Sequence, residues 1–190
     1  MKDDVKKTGV IVGEKKNILQ KKPDKRKIRD PIFVGIDPSF NGMGIVIIDK
    51  KANILKQILY KAKPGEVEER LLDIEKATRF IPTIMNLYKV YMEGPSYQSA
   101  GQAVLQMGAL HFLLRLNFLK RGVNYEIITP GTLKKFVADK GNAKKELMLL
   151  KTYKKWGVEF DDNNLCDAYG LARMVLEEYK IEFKEKDGQV

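Results

Sequence analysis

Five short apolar runs, spread over residues 32–128, constrain the fold of this 190-residue chain more than any other feature. The first three, at 32–36, 44–49 and 54–60, are separated only by turn residues such as Asn41-Gly42. This spacing predicts an antiparallel meander. The last two, at 90–92 and 123–128, each follow a segment with helical periodicity. The alternation predicts later strands that run parallel, with helices packed on the sheet.

The remaining segments carry the apolar spacing of helices. The pattern predicts helices over 67–88 with a kink at Pro82, over 99–121, from Thr129-Pro130 to about 139, over 143–156 and from about 164 to Tyr179. This order of strands and helices predicts an α/β fold, with a mixed five-stranded sheet and helices on both faces. We expect a basic arm at 1–30, one domain at 31–180 and a charged tail at 181–190.

The scarcity of histidine and cysteine restricts the chemistry. With one histidine, His111, and one cysteine, Cys166, the chain offers neither a disulfide framework nor a cysteine-ligated zinc site. A bound metal would therefore need carboxylate ligands, which favours Mg²⁺ or Mn²⁺. No apolar run approaches the roughly 20 residues of a membrane span, and the N-terminal residues lack the apolar centre of a secretory signal. We expect a cytoplasmic protein.

The positive charge is concentrated near the N-terminus. The formal net charge is +10, and residues 1–30 contain 11 basic and 5 acidic residues. Such a segment either binds a phosphate backbone, with salt-sensitive affinity, or acts as a solubilising tail, and the sequence leaves both open. The candidate phosphate contacts are Lys21, Lys22, Lys25, Arg26 and Lys27.

Three acidic residues occupy the ends of predicted elements. Asp37 ends the first apolar strand, Glu93 ends the fourth, and Asp167 lies near the start of the last helix. If these elements are neighbours, the carboxylates converge and repel, and divalent cations neutralise them. Two ions about 3.5–4 Å apart would support phosphodiester hydrolysis without histidine or thiol. Each acid alone could instead be an ordinary turn residue, and Asp161 or Asp162 could cap the last helix.

Four segments resemble, in order, the motifs of RuvC-type Holliday junction resolvases. They are GIDPSFNGMGIVIID from residue 35, MEGPSYQSAGQAVLQMGAL from 92, ITPGTLKKFVADKGNAKKELM from 128 and DDNNLCDAYGLA from 161. The resemblance covers about residues 32–178 and looks closer to phage-type members. It implies a ribonuclease H-like fold and a Mg²⁺-dependent endonuclease, with two ions per site, that resolves four-way DNA junctions by paired symmetric nicks.

The resemblance also assigns roles to residues. It implies that Asp37, Glu93 and Asp167 are metal ligands, with a fourth ligand three residues before the last acid. That position holds Asn164, which departs from the family pattern. Either the Asn164 amide oxygen serves, or Asp162 or Asp161 supplies the charge, and Asp162 is the favoured candidate.

Further positions correspond to the DNA-contacting residues of the family. The resemblance implies contacts with the scissile phosphate from Lys134 and Lys145, with Lys135 and Lys144 as near alternatives. A solvated helix face explains these lysines equally well. Tyr97 is a candidate for stacking on unstacked junction bases, or it packs beneath its own loop.

The segment 99–121 is apolar nearly all round, which is typical of a central buried helix or of a subunit interface. The resemblance implies a homodimer, whose two-fold symmetry would match the two symmetric nicks. His111, within this segment, is interpreted as a core or interface residue, and Cys166 as a small buried one.

Three other functions remain as alternatives. Actin-like ATPases and sugar kinases share a Gly-Ile-Asp opening, but they need a second domain that a chain of this length does not hold. A non-catalytic nucleic-acid binder of the same fold would be expected to lack one of the acids. A related nuclease acting on flaps or RNA–DNA hybrid is separated from a resolvase by comparing substrates.

Overall fold

The computed structural model describes residues 30–95 and 101–187, with side chains described as far as Phe183. Within these ranges the strands are β1 (Ile32–Asp37), β2 (Met43–Ile48), β3 (Ile54–Tyr60), β4 (Leu87–Glu93) and β5 (Tyr125–Ile128). The helices are α1 (Val67–Thr78), α2 (Gln102–Lys120), α3 (Pro130–Ala138), α4 (Lys145–Trp156) and α5 (Asn163–Asp187), with a turn of 3-10 helix at Ile81–Thr83.

One five-stranded sheet has the order β3-β2-β1-β4-β5. β1, β2 and β3 pair antiparallel, whereas β4 is parallel to both β1 and β5. The predicted α/β fold is therefore confirmed. Because β1 and β4 run side by side in the same direction, Asp37 and Glu93 end their strands at the same edge of the sheet.

Two hydrophobic layers cover the two faces of the sheet. Val34 and Ile36 of β1 belong to the layer that includes the buried residues of α1 and α2. Phe33 belongs to the other layer, with α3, α4 and α5. Since alternate residues of a strand face opposite sides, Gly35 and Asp37 share the face of Phe33, on which α5 packs.

Close approach of α5 to the sheet depends on glycine. A Cβ atom added to Gly35 would lie 1.9 Å from the Ala168 carbonyl oxygen, and one added to Gly44 would lie 2.1 Å from the Asn164 carbonyl oxygen. Both obstacles are backbone atoms, which cannot turn aside as a flexible side chain can. Because Gly35 of β1 and Gly44 of β2 have no side chain, the first turns of α5 can lie directly against the strand that ends in Asp37.

Gly35→Ala is expected to destabilise the protein by about 1–3 kcal/mol or more, because the added methyl group would push α5 off β1. Urea unfolding measures the change. Gly108→Ala is the matched control: an added Cβ there has no described atom within 4 Å, and alanine stabilises a helix interior by about 0.5–1 kcal/mol. Equal stability of the Gly35→Ala variant and the native chain would contradict the close packing.

The boundaries of two helices differ from the prediction. The helix predicted over 67–88 ends at Thr78, and Pro82 lies in the 3-10 turn that follows. Tyr88 belongs to β4, where its ring packs 5.9 Å from that of Phe33 and 5.0 Å from that of Tyr179. Proline cannot donate to a continuing helix, and the apolar residues beyond it satisfy strand packing as well as helical spacing.

The final helix is longer than predicted, since α5 continues past Tyr179 to Asp187. The residues taken for a tail thus begin inside a helix. In the described part of the chain, we find no helix that combines the length and the hydropathy of a membrane span.

Candidate metal and nucleic-acid site

Three carboxylates meet at the carboxyl end of the central strands. One side-chain oxygen from each of Asp37, Glu93 and Asp167 lies within 4.8 Å of the other two. When one of them is protonated, Asp37 and Glu93 can share a hydrogen bond, which contributes to the raised pKa of Asp37. The sequence prediction that these three acids converge is therefore confirmed by the geometry.

Local structure explains how each acid reaches this point. Asp37 and Glu93 are the last residues of the adjacent parallel strands β1 and β4, and the Gly94 N–H donates to the Ile128 carbonyl oxygen at 2.7 Å, which anchors the end of β4. Asp167 is one turn into α5, which packs on β1 at Gly35. Two rigid strands and a tightly packed helix thus hold the three carboxylates.

Burial raises the pKa of all three groups, and neighbouring carboxylates add to the rise for Asp37 and Asp167. Burial raises the pKa of Asp37 well above its usual range, and the adjacent Glu93 carboxylate adds to the rise. Burial likewise raises the pKa of Glu93, against the opposing effects of its hydrogen bond to Asp37 and of Lys134. For Asp167, burial and the Glu93 charge raise the pKa to about 7. Such a group is costly to ionise unless a cation is present.

The carboxylates line a cavity of about 270 Å³. Lys134 of α3 and Lys145 of α4 also line it, and both ammonium groups oppose the rise in the pKa of Asp167. The complete lining consists of Asp37, Pro38, Glu93, Gly94, Pro95, Met107, His111, Pro130, Lys134, Lys145, Met148, Asn163 and Asp167. The lining of the cavity therefore contains both carboxylate and ammonium groups.

A second, more open hollow adjoins the first. It has a volume of about 590 Å³ and shares Pro130, Lys134 and Lys145 with the cavity. Lys144 lines the hollow but not the cavity. Lys135 is exposed on α3. Of the four lysines singled out in the sequence, the structure thus places Lys134 and Lys145 in the cavity with the carboxylates and Lys144 in the adjoining hollow.

The candidates for a fourth ligand lie around the start of α5. Asp162 caps this helix, since its Oδ1 accepts the backbone N–H groups of Asn164 at 2.8 Å and Leu165 at 3.2 Å. Its charge nevertheless contributes to the raised pKa of Asp37. The Asn164 side chain lies beside Gly42, in the turn between β1 and β2, and Asp161 is exposed.

Two cavity residues were not identified as site residues from the sequence. Asn163, four residues before Asp167, lines the cavity, and its buried Oδ1 has no hydrogen-bond partner among the described residues. His111 lines the cavity from α2 and is 4% exposed, as its interpretation as a buried residue requires. The helical spacing of four residues between Asn163 and Asp167 was the available signal.

Of the remaining residues singled out in the sequence, the structure describes Cys166 but not Tyr97 or the basic N-terminal residues. Cys166 is fully buried, as predicted, and its Sγ lies 3.2 Å from Oγ1 of Thr152. Tyr97 and the basic residues between Lys21 and Lys27 lie outside the described residues.

Comparison with known proteins agrees with this architecture. A chain from Campylobacter hominis named crossover junction endodeoxyribonuclease RuvC is 28% identical over 145 residues, which cover 74% of this chain and 92% of the relative. A protein of the same name from Petrotoga mobilis is 26% identical over 140 residues, covering 65% and 82%.

Solved structures share the fold. Thermus thermophilus RuvC in complex with a Holliday junction substrate superimposes with a TM-score of 0.66 at 18% identity, over 81% of this chain and 96% of that chain. The yeast mitochondrial Holliday junction resolvase Ydc2 gives a TM-score of 0.55 at 15% identity, over 80% of each chain. Both likenesses support the ribonuclease H-like fold expected from the sequence.

The family model for crossover junction endodeoxyribonuclease RuvC matches residues 33–172, a stretch that contains most of β1, all of β4, the start of α5 and all three clustered carboxylates. With most of the described domain inside that match, this chain belongs to the RuvC family of crossover junction endodeoxyribonucleases.

Proposed function

We propose that this protein is a Mg²⁺-dependent, structure-selective endonuclease that resolves four-way DNA junctions by two symmetric nicks. The convergence of the Asp37, Glu93 and Asp167 carboxylates within 4.8 Å, in a cavity flanked by lysines, is the observation that carries the proposal. Family membership supports the reaction class. The Holliday junction bound by the Thermus thermophilus relative supports the substrate.

The donor set fits a divalent cation. Carboxylate and amide oxygens are the preferred ligands of Mg²⁺ and Mn²⁺, and a bound cation would offset the burial that raises the pKa of the three acids. Asp37, Glu93 and Asp167 would hold the ions, two in each active site. When bound, the ions supply Lewis-acid stabilisation of the attacking and leaving oxygens of the phosphodiester.

The fourth ligand is proposed to come from the first turn of α5. Asn163 offers a neutral oxygen that already faces the cavity and has no partner in the described ranges. Asp162 and Asn164 remain candidates, although the cap that Asp162 forms occupies one of its carboxylate oxygens. A neutral ligand beside three acids would leave less negative charge than a fourth carboxylate would.

Lys134 and Lys145 are proposed to bind the scissile phosphate. Both reach the cavity that contains the acids, so one phosphate could touch a lysine and the carboxylate-bound ion together. Lys144, with Lys135 farther out, would contact neighbouring phosphates along the adjoining hollow. Two further contacts belong to the same proposal: stacking of Tyr97 on a junction base, which the resemblance implies, and phosphate binding by the arm between Lys21 and Lys27, which its positive charge favours.

The exposed side of α2 supports a homodimer. Leu105 is 74% exposed and Phe112 69%, and Leu116 and Leu119 continue the same stripe at intervals of three, four and seven residues. Packing of two such stripes across a two-fold axis would bury apolar surface and provide two active sites. A junction of approximate two-fold symmetry requires that arrangement for paired nicks.

Cleavage assays on labelled four-way junction, linear duplex, flap and RNA–DNA hybrid, each with Mg²⁺ and with EDTA, test the proposal. We expect metal-dependent symmetric nicks in the four-way junction, with 5′-phosphate and 3′-hydroxyl ends. Cleavage of linear duplex at the same rate would contradict structure selectivity.

A related activity on other substrates is the second candidate. The same carboxylate site would serve a nuclease acting on flaps or RNA–DNA hybrid, so faster cleavage of either would reassign the substrate while keeping the site. Tight junction binding without any cleavage would instead identify a non-catalytic binder.

A further inference from the structure

His111 occupies an unusual position for the only histidine of the chain. It lies on the inward face of α2 with 4% of its surface exposed, and it lines the cavity that contains the three carboxylates. Neither ring nitrogen has a hydrogen-bond partner among the described residues. A buried imidazole therefore faces the site with both polar atoms unsatisfied.

Leaving such a group unpaired has a cost. A buried polar group without a partner destabilises a protein, so a packing role alone would be better served by leucine or methionine. Burial and the nearby Arg115 lower the pKa of His111 to about 4, which leaves the ring neutral at pH 7. A neutral imidazole has one N–H donor and one accepting nitrogen.

The surroundings of His111 indicate what could satisfy it. Met107, one turn before it on α2, and Met148 of α4 line the same cavity, and thioether sulfur is only a weak acceptor. The unpartnered Oδ1 of Asn163 faces the same space from α5. An occupant that matches these groups must donate hydrogen bonds, as the water molecules around a cation do.

We propose that His111 is a positioning residue of the metal site, whose accepting nitrogen binds a water molecule in the hydration shell of the cation held by Asp37, Glu93 and Asp167. This inference rests on the proposed function, because it requires a cation at the carboxylates. His111 does not belong to the three-carboxylate group itself, so its role is to orient the hydration shell from another part of the cavity lining.

The single histidine allows a direct test on the native full-length chain. With ¹⁵N-labelled histidine, every imidazole nitrogen signal belongs to His111, so no assignment by mutation is needed. We expect Mg²⁺ to shift the signal of the accepting nitrogen in the native protein and to leave it unchanged in Asp37→Asn. An unchanged signal in native protein that calorimetry shows to bind Mg²⁺ would overturn the inference.

Substitution supplies a second readout that a purely structural role would not produce. His111→Leu is expected to weaken Mn²⁺ binding about tenfold, as loss of an outer-shell partner does, while His111→Gln recovers part of the affinity. Without metal, His111→Leu should unfold at the same or a higher temperature, because an unsatisfied group is removed. Leu110→Met, a buried change on the same helix, is the control expected to leave Mn²⁺ affinity unchanged.

The outcomes separate this inference from the proposed function. If the native chain binds Mn²⁺, Asp37→Asn does not, and His111→Leu binds as tightly as the native chain, only the inference on His111 is overturned. A lower unfolding temperature of His111→Leu with unchanged Mn²⁺ affinity would identify a structural histidine and overturn it too. Failure of the native chain to bind any divalent cation would refute the metal site, and with it both proposals.

Discussion

Asp37→Asn is expected to reduce cleavage of a four-way junction by about three orders of magnitude or more, while binding of the junction persists. The Asp37 carboxylate lies within 4.8 Å of those of Glu93 and Asp167, and an amide in its place removes one of the charges that would hold the cation. Loss of several kcal/mol of transition-state stabilisation corresponds to this reduction, at about 1.4 kcal/mol for each factor of ten. Single-turnover cleavage with saturating Mg²⁺ measures it.

Asp161→Asn is the matched control, because this neighbouring acid is exposed at the start of α5 and lies outside the carboxylate group. We expect it to cleave at a rate close to that of the native chain. Gel-shift binding in EDTA monitors the junction complex in parallel. Simultaneous loss of fold and junction binding in Asp37→Asn would show that Asp37 is a structural residue and not a ligand.

Asp167→Asn is expected to stabilise the metal-free protein, by a margin that grows as the pH rises from 5 to 8. The pKa of Asp167 is raised from 3.8 to about 7 in the folded chain, so between these values the folded state holds more protons than the unfolded state. Stability from this group is therefore present at low pH and is lost as the pH rises towards 7. The difference approaches an upper limit of about 4 kcal/mol above pH 7.

Comparing the native chain with Asp167→Asn at each pH isolates the contribution of Asp167 to the free energy of unfolding. The native curve alone also contains His111, whose pKa is lowered and which contributes in the opposite direction. The difference between the unfolding temperatures of the two proteins in EDTA measures the margin. In a chain of this size, each kcal/mol shifts the unfolding temperature by about 2–4 °C. Mg²⁺ should reverse the order at pH 8, because the native carboxylate binds the cation and the amide does not. A margin independent of pH would contradict the raised pKa.

Several properties of the site follow from local patterns in the chain. The strands β1 and β4 are short apolar runs that end in an acid, and the predicted topology allows them to lie side by side, as they do in the structure. The sequence could therefore predict that Asp37 and Glu93 converge if the two strands are neighbours. The four ordered motifs added Asp167, and the absence of further histidine and cysteine restricted the metal to one that carboxylates bind.

Other properties depend on how elements pack. Pro82 indicates a break, but whether α1 ends at Thr78 or continues as a kinked helix depends on the partners that Tyr88 finds in the core. The distance between the carboxylates depends on how closely α5 approaches β1, which the contact at Gly35 sets. Neither feature can be read from periodicity, because both are properties of two surfaces in contact.

Sequence patterns do not identify which residues near Asp167 and on α2 line the cavity. Residues 161–164 are four consecutive polar groups of similar chemistry, and composition does not distinguish a cap from a ligand. The rotation of α5 directs Asn163 into the cavity and leaves Asp162 to cap the helix. His111 lies in an apolar segment and carries no local signal of a site. Sequence thus specifies element types and the acids at their ends, whereas the rotation and docking of helices select the side chains that share a cavity, since these depend on packing between residues far apart in the chain.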